Sequence, residues 1–411
     1  MKYKITYLRS REMKILTFSL EYPPFVTGGP AIHTRELNVL LSKLGHAPWV
    51  ATFNHSPNDQ VANNIQEDDG VNLVKAKNYD FIPSNYSAQY LQQNLKAMEV
   101  IFELINKNGV KFDLIVAQGY WLGLSALMLK SIIKVPLVWH VHNMFSAQVG
   151  ASLTEDQLYL KNIESLLATE SDQIIPVSNY ISQMCIELGA KESKITVIPK
   201  ALHLDKYNEQ WTPQDWETLL YVGRLSEEKG LDTLFHAVHH IISQGKYIRL
   251  LIAGNGEQEY VNFLRNLVSE LNINRNIAFL GFVDETQVIK LYKSTTLVIV
   301  PSLLEAFGRV AIEAMAIGTP VIVSNTGGLG PLVEHNYTGW KFTPGDANEL
   351  ANLIMDVLFN QSNTKKVASS GRVEAMNKYN WDNISIQTIN VYKKALRETF
   401  EDELVSNIAS S

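Results

Sequence analysis

The sequence has almost no cysteine and no excess of basic residues. Cys185 is the one thiol among 411 residues. It excludes an internal disulfide framework and any zinc site built from several cysteines, and it fits a reducing cytoplasm. Lys and Arg number 36 against 42 Asp and Glu, for a net charge of −6. Nucleic acid is therefore not expected as a partner, because surfaces that bind nucleic acid are basic.

The sequence also lacks an apolar run long enough to cross a membrane. Its longest candidate, residues 122–138, is interrupted by Lys130 and Lys134 and falls short of the roughly 20 apolar residues that a span requires. No secretory signal is expected, because the basic start runs directly into the strand-like segment MKILTFSL. We expect a cytoplasmic protein in which residues 1–12 form an extension. That extension is either a translation-start artefact or, since Lys and Arg cluster there, a weak contact with the anionic inner membrane surface.

Short apolar segments alternate with helical patterns along the whole chain. Hydrophobic residues make up 46% and charged residues 19%, as in ordinary folded domains, and the length suggests two or three of them. KILTFSL, DLIVAQ and KITVIP are among the predicted strands, and a polar stretch marks a junction near residues 205–216. Repeated β-α units predict an α/β fold in which each half is a doubly wound parallel sheet.

Ligands of such sheets bind at the carboxyl ends of the strands, so residues that follow strands are the candidate site. Gly28 and Gly29 precede a helix, where paired glycines let the backbone approach an anion; a plain turn is the alternative. His140 and His142 face the same side of one strand, but a metal site would need a third ligand that the neighbouring sequence does not supply. His142 is better placed to meet a ligand, with a structural histidine as the alternative.

Two further segments follow strands in the second half. Arg224 and Lys229 flank a turn and suit a pair of phosphates, although they could equally form an exposed basic pair offset by Glu227 and Glu228. AGNGEQE resembles part of a dinucleotide fingerprint, but the third glycine and the later acidic residue are missing. We therefore reject an NAD site there.

Two glutamates stand out in the segment LLEAFGRVAIEAMAIG. Glu313 lies within an apolar helical pattern, where an unpartnered carboxylate is expensive to bury, and Glu305 lies eight positions earlier in the preceding loop. Ionised carboxylates only accept hydrogen bonds, so a ribose diol would suit Glu313 and a sugar ring would suit Glu305. A buried ion pair with an Arg or Lys elsewhere is the alternative.

Glu305 to Glu313 matches the E-x7-E motif, and the chain resembles the retaining GT-B glycosyltransferases of family 4. The loop EYPPFVTGGPAIHTREL, the strand VPLVWHVHN, YVGRLSEEKGL and LLIAGNGEQ occur in the family's order, over about residues 13–397. The resemblance implies two Rossmann-like doubly wound parallel-sheet domains that face each other across a cleft.

The implied layout has four parts. They are an extension over 1–12, an acceptor-binding domain over 13–208, a nucleotide-sugar-binding domain over 209–375, and a final helix over 376–411 that crosses back to the first domain before the tail.

The resemblance also implies roles for residues of the second half. Glu313 binds the donor's ribose hydroxyls, and Glu305 meets the transferred sugar with help from backbone amides at Phe307 and Gly308. Val283 lies where backbone groups meet the base.

Other implied roles concern the phosphates and the reacting sugar. Arg224 and Lys229 form the diphosphate clamp, and Gly28 and Gly29 form the loop that closes over it. His142 corresponds to the histidine near the anomeric centre and the C6 hydroxyl.

The strand end in LLIAGNGEQ adds Gly254 to the donor-binding set. One segment departs from the family, because Lys200-Ala201 stands where Asn-Gly is common. That departure concerns a local turn and nearby acceptor contacts, not the donor site.

The predicted activity is transfer of a hexose from a nucleoside diphosphate sugar to a hydroxyl acceptor, with retention of configuration and without metal or cofactor. Glycan, lipid-linked and small-molecule acceptors all remain open. The alternatives are a GT-B sugar-nucleotide epimerase, a non-catalytic binding subunit, and, as a narrower version, a glycogen-synthase-like α-glucosyltransferase suggested by the EYPP…GG loop.

Overall fold

The computed structural model describes residues 12–24, 29–54, 65–77, 85–146, 154–215 and 217–409. Residues 1–11 of the extension predicted over 1–12, and Gly28, lie outside the described residues. The chain divides into two compact units, one formed by Met1–Pro199 with Asp382–Ser411 and the other by Lys200–Trp381. The boundaries predicted after residues 208 and 375 both fall inside the second unit.

Among the described residues, the first unit forms a seven-stranded sheet in the order β3-β4-β2-β1-β5-β6-β7. All neighbours are parallel except β3 and β4, which form an antiparallel hairpin. The central strands β1, β5 and β6 are buried almost throughout, as expected when helices cover both faces. The strands are β1 Lys14–Phe18, β2 Ala47–Asn54, β3 Ile65–Asp68, β4 Val71–Lys77, β5 Leu114–Gln118, β6 Leu137–Val141 and β7 Gln173–Pro176.

Helices of the first unit begin and end at residues suited to those positions. Asn85 caps one helix by accepting a hydrogen bond from Ala88 N, and Gly109 ends it in the left-handed conformation. Thr154 and Gln157 form a capping box at the start of another. The helices are α1 Gly29–Lys43, α2 Tyr86–Asn108, α3 Gly123–Ile133, α4 Glu155–Glu170 and α5 Asn179–Glu187.

The second unit, described except for residue 216, forms a six-stranded parallel sheet in the order β10-β9-β8-β11-β12-β13. Its strands are β8 Thr218–Val222, β9 Arg249–Ala253, β10 Ile277–Gly281, β11 Leu297–Val300, β12 Val321–Ser324 and β13 Trp340–Phe342. Its helices are α6 Leu231–Ser243, α7 Gln258–Glu270, α8 Glu285–Ser294, α9 Arg309–Ile317, α10 Ala347–Phe359 and α11 Gln361–Lys378. The predicted doubly wound parallel sheets are therefore present in both units.

The last helix, α12, spans Trp381–Ala409 and from Asp382 onward belongs to the first unit. Tyr392 Oη lies 2.9 Å from His140 Nε2 on β6. Lys394 Nζ donates to Ser193 O at 2.9 Å. These contacts place the end of the chain against the strands and loops of its first half.

The strand predicted in KITVIP is wrong, because these residues form a single bridge between Ile195 and Ile174 of β7. Thr196 N and Ile198 N do donate to Ile174 O and Pro176 O at 3.0 Å. Pro176 has no backbone N–H to return, so the segment runs beside β7 without completing a ladder. Within the described ranges, no helix combines the length and apolar character needed to cross a bilayer.

Candidate functional site

The strand ends of the second unit approach each other closely. Gly254, just after β9, has φ +148, and a Cβ there would lie 1.8 Å from Gly223 O, just after β8. Gly254 N donates to Gly281 O, the last residue of β10, at 2.8 Å. Any side chain at 254 would collide with backbone, so Gly254 is required for three strand ends to meet at one edge. The structure thus gives Gly254 a packing role at the predicted donor edge.

Lys229 and Glu305 meet at this edge. Lys229 closes a short 3-10 turn, Glu227–Lys229, and its Nζ donates to Glu305 Oε2 at 2.9 Å. The two side chains are 18% and 20% exposed. The adjoining loops are tied by Leu303 N, which donates to Glu228 O at 2.8 Å. A cation and a carboxylate from segments 76 positions apart therefore occupy one partly shielded spot.

Arg224 is placed differently from Lys229. Its side chain is 73% exposed, and its ion pair with Glu228 is long, at 3.3 Å. Exposed pairs of this kind contribute little to stability, so the guanidinium is available to an anion at small cost. The sequence left open that Arg224 and Lys229 form an exposed basic pair offset by the neighbouring glutamates. This describes Arg224, whereas Lys229 pairs with Glu305 instead.

Glu313 forms the buried ion pair that the sequence left as its alternative. Arg309, one turn earlier on α9, donates Nε to Glu313 Oε1 at 2.6 Å, and Tyr292 donates its hydroxyl to Oε2 at 3.0 Å. Glu313 is 12% exposed. An ionised carboxylate can accept about four hydrogen bonds, so both oxygens are oriented and retain capacity for a diol. Arg309 was missed, although its i,i+4 spacing to Glu313 is a readable ion-pair signal.

The loop between the two glutamates is tightly held. Phe307 is 2% exposed, its ring packs at 6.1 Å on Tyr379, and its backbone N–H faces Glu305 Oε1 at 3.5 Å. Gly308 has φ +105, and a Cβ there would lie 2.5 Å from Leu329 Cδ1. The amide of Phe307 thus lies beside Glu305, and Gly308 is fixed next to it by its backbone conformation and packing.

Val283 follows β10 at the same edge and is half-buried. The next residue, Asp284, caps α8 by accepting from Gln287 N at 2.9 Å. Phe282, on the other side, is 77% exposed. The backbone at Val283 is therefore held between a capped helix and an open aromatic ring.

Lys200 belongs electrostatically with these ions. Its side chain is half-buried, and its segment is fastened where Leu202 N donates to Tyr379 O at 2.7 Å. Burial and the nearby positive charge of Arg309 lower the pKa of Lys200 to about 8; Glu305 opposes this shift and Lys229 adds to it. From the sequence, Lys200 was noted only because Lys200-Ala201 stands where Asn-Gly is common in the family. The structure adds it to the cations around Glu305.

In the first unit, His142 lies in a group of buried imidazoles. Its Nε2 lies 2.6 Å from Gln118 Oε1 at the end of β5, and its ring centroid lies 4.9 Å from that of His33 on α1. His140 is equally buried, and burial lowers its pKa to about 3. His33 was missed, although it follows Gly29, the first residue of α1, by about one turn.

The metal alternative for the histidines gains no geometric support. Although His33 supplies a third imidazole near His140 and His142, the described part of the chain contains no group of three His, Cys, Asp or Glu side chains arranged to hold a metal ion.

Each half of the chain matches the model of a known protein family. The model of Glycosyltransferase Family 4 matches residues 27–206, and that of Glycosyl transferases group 1 matches residues 205–374. An uncharacterised glycosyltransferase of Methanocaldococcus jannaschii is 30% identical over 398 residues, 93% of this chain and 99% of that one. The chain belongs to the family 4 glycosyltransferases.

Other similar proteins share nearly the full length. Glycogen synthase of Mycobacterium tuberculosis is 28% identical over 94% of this glycosyltransferase and 95% of its own chain. Sucrose-phosphate synthase from Thermosynechococcus elongatus superposes with a TM-score of 0.81 at 25% identity, covering 94% and 100% of the two chains. HepE from Anabaena, solved with UDP and glucose, gives a TM-score of 0.74 at 23% identity, covering 93% and 99%. The fold is GT-B, as predicted, and the protein is a sugar transferase.

Proposed function

We propose that this glycosyltransferase moves a hexose from a nucleoside diphosphate sugar to a hydroxyl acceptor, with retention of configuration and without a metal ion. The observation that carries the proposal is the Lys229–Glu305 pair at 2.9 Å, which sets a phosphate partner beside a sugar-hydroxyl partner at a strand-end edge. HepE, a protein of the same fold, has been solved with UDP and with UDP-glucose.

The nucleoside end of the donor fits Glu313. Arg309 and Tyr292 hold the carboxylate in one orientation, and a ribose would add two hydroxyl donors to it. Hydrogen bonds to a charged acceptor are each worth about 1.5–3 kcal/mol. The base would lie against backbone near Val283, where a half-buried turn follows β10.

The diphosphate fits the cations. Lys229 is partly shielded, Arg224 is exposed, and Lys200 adds a third positive charge nearby. Together they supply the positive charge that a divalent metal supplies in other phosphate sites. This is the basis for proposing metal-independent transfer.

The reaction breaks the bond between the anomeric carbon and the diphosphate oxygen, which leaves with the bonding electrons. The acceptor oxygen then bonds to the anomeric carbon on the same face, and its proton passes to the departing phosphate. Lys229 and Arg224 would stabilise the charge that develops there, a contribution of several kcal/mol to the barrier. Glu305, with the amides at 307 and 308, would hold the sugar hydroxyls.

The test begins with a thermal-shift screen of UDP-, GDP-, ADP- and TDP-sugars in EDTA, since a ligand of the native state must stabilise it. Release of the nucleoside diphosphate and the anomeric configuration of the product, read by NMR, follow for any donor that shifts the melting temperature. Stabilisation by one base with release in EDTA supports the proposal. A strict metal requirement, an inverted product, or no shift with any nucleotide sugar would overturn it.

A further inference from the structure

Aromatic side chains that the proposed function does not use gather at the strand ends of the first unit. Trp121 is the centre, with Tyr86 at 5.0 Å, Tyr90 at 5.6 Å and Tyr120 at 6.2 Å between ring centroids. Phe145 extends the group from Tyr120, at 6.2 Å. We call these five residues the aromatic shelf. Most of the pairs are edge-to-face, the arrangement that aromatic quadrupoles favour.

The shelf stands where a ligand of this sheet would be expected. Tyr120 and Trp121 come directly after β5, Phe145 follows β6, and Tyr86 begins α2. β5 ends at Gln118, whose Oε1 lies 2.6 Å from His142 Nε2. The carboxyl ends of parallel strands are the ligand-binding edge of such a sheet, so the shelf and His142 share that edge.

The centre of the shelf is fixed by buried polar groups. Trp121 Nε1 donates to Gln93 Oε1 at 2.5 Å, and Asn94 Nδ2 donates to Trp121 O at 2.9 Å. Tyr90 donates its hydroxyl to Tyr120 O at 3.0 Å. A surface held this way loses little conformational entropy when a ligand binds.

The outer end of the shelf is fixed by Glu164 on α4. This side chain is fully buried, and its carboxylate accepts from Phe145 N and from Ser146 N, the latter at 3.0 Å. Burial raises the pKa of Glu164 above its ordinary value. The side chains that hold the shelf, Gln93, Asn94 and Glu164, include no cation, so a phosphate would find no charged partner among them.

Four of the five shelf residues reach the surface, whereas Tyr90 is fully buried and supports Trp121 through their edge-to-face contact. Tyr86 is 46% exposed, and Tyr120, Trp121 and Phe145 are half-buried. A sugar ring has an apolar face of C–H groups and a rim of hydroxyls, so it matches aromatic faces bordered by phenol hydroxyls. A lipid chain would instead need a continuous aliphatic surface, which these polar-rimmed rings do not provide.

We infer that the aromatic shelf binds a neutral sugar ring of the acceptor, so that the acceptor is a glycan or glycoside rather than a lipid or a sugar phosphate. This inference rests on the proposed transferase function and names the substrate class for it. The shelf places the acceptor on the strand-end edge that also carries His142.

The test is saturation-transfer NMR on the full chain, with EDTA and the nucleoside diphosphate selected by the thermal-shift screen. The probes are methyl α-glucoside, maltotriose, cellotriose and glucose 6-phosphate, with phosphatidylcholine–phosphatidylglycerol vesicles tested by co-sedimentation. Neutral saccharides should bind. Tyr86→Ala should weaken that binding about three- to tenfold, and Tyr86→Phe, which keeps the ring, should change it less than twofold.

Two further variants guard against a trivial loss of folding. Phe145→Leu keeps the apolar volume but removes the ring face, and it should weaken saccharide binding like Tyr86→Ala. Tyr247→Ala, at an equally open tyrosine of the second unit (61% exposed), is the matched control and should leave binding unchanged. The nucleotide-induced thermal shift should be the same in all four variants.

Each other outcome has a defined meaning. The inference is overturned if neutral saccharides fail to bind a nucleotide-binding protein, if their binding ignores both shelf variants, or if only glucose 6-phosphate or vesicles bind in a shelf-dependent way. An unmodified chain that binds no nucleotide would contradict the proposed function instead. Shelf-dependent saccharide binding would then show a sugar site without a donor site.

Discussion

At the scale of single residues, the candidate site consists of charged groups that are already paired. Glu313 is held by Arg309 and Tyr292, and Lys229 is paired with Glu305. The types of residue could be predicted from the sequence, because a glutamate in an apolar helix demands a partner. Arg309 could have been predicted from its i,i+4 spacing, but Tyr292 could not, because it comes from α8 and only packing brings it to α9.

Glu313→Gln should weaken nucleoside diphosphate binding roughly 10- to 100-fold, because a neutral amide accepts fewer and weaker hydrogen bonds from a ribose and leaves Arg309 without its anion. Calorimetric titration in EDTA measures this change. The matched control is Glu374→Gln, which breaks a surface i,i+4 pair with Lys378 and should leave affinity unaltered. Equal affinities in the two variants would remove Glu313 from the donor site.

Lys200 should make nucleotide affinity depend on pH. Its pKa of about 8 means that above pH 8 the unliganded protein loses this charge, so an anion must bring a proton back when it binds. Affinity for the nucleoside diphosphate should therefore fall as pH rises from 7 to 9.5, by about tenfold per pH unit at most. Titrations at several pH values check this. Lys200→Gln should bind more weakly at pH 7 and lack this part of the pH dependence; identical profiles would exclude Lys200.

At the scale of elements, β-α alternation predicts both sheets but misses the β3–β4 hairpin. Asp69-Gly70 at its turn is a recognised hairpin signal, yet the charged segment before it resembles a loop. Its place depends on distant partners: Tyr22 donates its hydroxyl to Asp68 at 2.9 Å, and Arg35 Nε donates to the same carboxylate at 2.7 Å. The local sequence pattern predicts the turn conformation, whereas the position of the hairpin depends on these tertiary contacts.

Arg35→Ala should loosen the hairpin from α1 and lower the free energy of unfolding by about 1–2 kcal/mol, a value reduced because the side chain is 26% exposed. It also leaves the half-buried Asp68 without its cation. Urea unfolding gives the change. Lys107→Ala, which breaks a pair within one helix at a side chain that is 72% exposed, is the control and should lose less than about 0.5 kcal/mol. Equal losses would mean that the hairpin contact contributes nothing.

At the scale of the whole molecule, the second unit could be predicted in more detail than the first. Its candidate residues lie on short loops after strands or on the first turns of the helix that follows, so they are close together in the sequence. In the first unit, the shelf and His33 come from separate helices and loops, and only the folded sheet brings them to one edge. No spacing in the sequence marks Tyr86, Trp121 and Phe145 as neighbours.

The free energy of unfolding at acid pH should depend on His140. Burial lowers its folded pKa to about 3, whereas the unfolded chain takes up a proton near pH 6.5. Stability from this residue is therefore complete above pH 6.5 and falls as pH drops toward 3, by at most about 1.4 kcal/mol per pH unit.

Urea unfolding at pH 7 and pH 5 checks this slope. His140→Gln should be less stable at pH 7, since it perturbs the contact with Tyr392, but should lose less stability between the two pH values. The exposed His236→Gln should follow the unmodified protein. A His140 variant with the same slope would contradict the assignment.

If Lys229 and Glu305 bind the donor as proposed, their ion pair would make the site selective. Each partner neutralises the other until a ligand arrives, so a ligand that engages only one of them leaves the other partly shielded and uncompensated. Inorganic phosphate would pair with Lys229 and leave Glu305 without its cation. A free sugar would bind Glu305 and leave Lys229 without its anion. A molecule that carries an anion and hydroxyl donors on one framework replaces both partners at once. Such a pair would favour an intact donor over either of its halves, because only the intact donor compensates both charged groups.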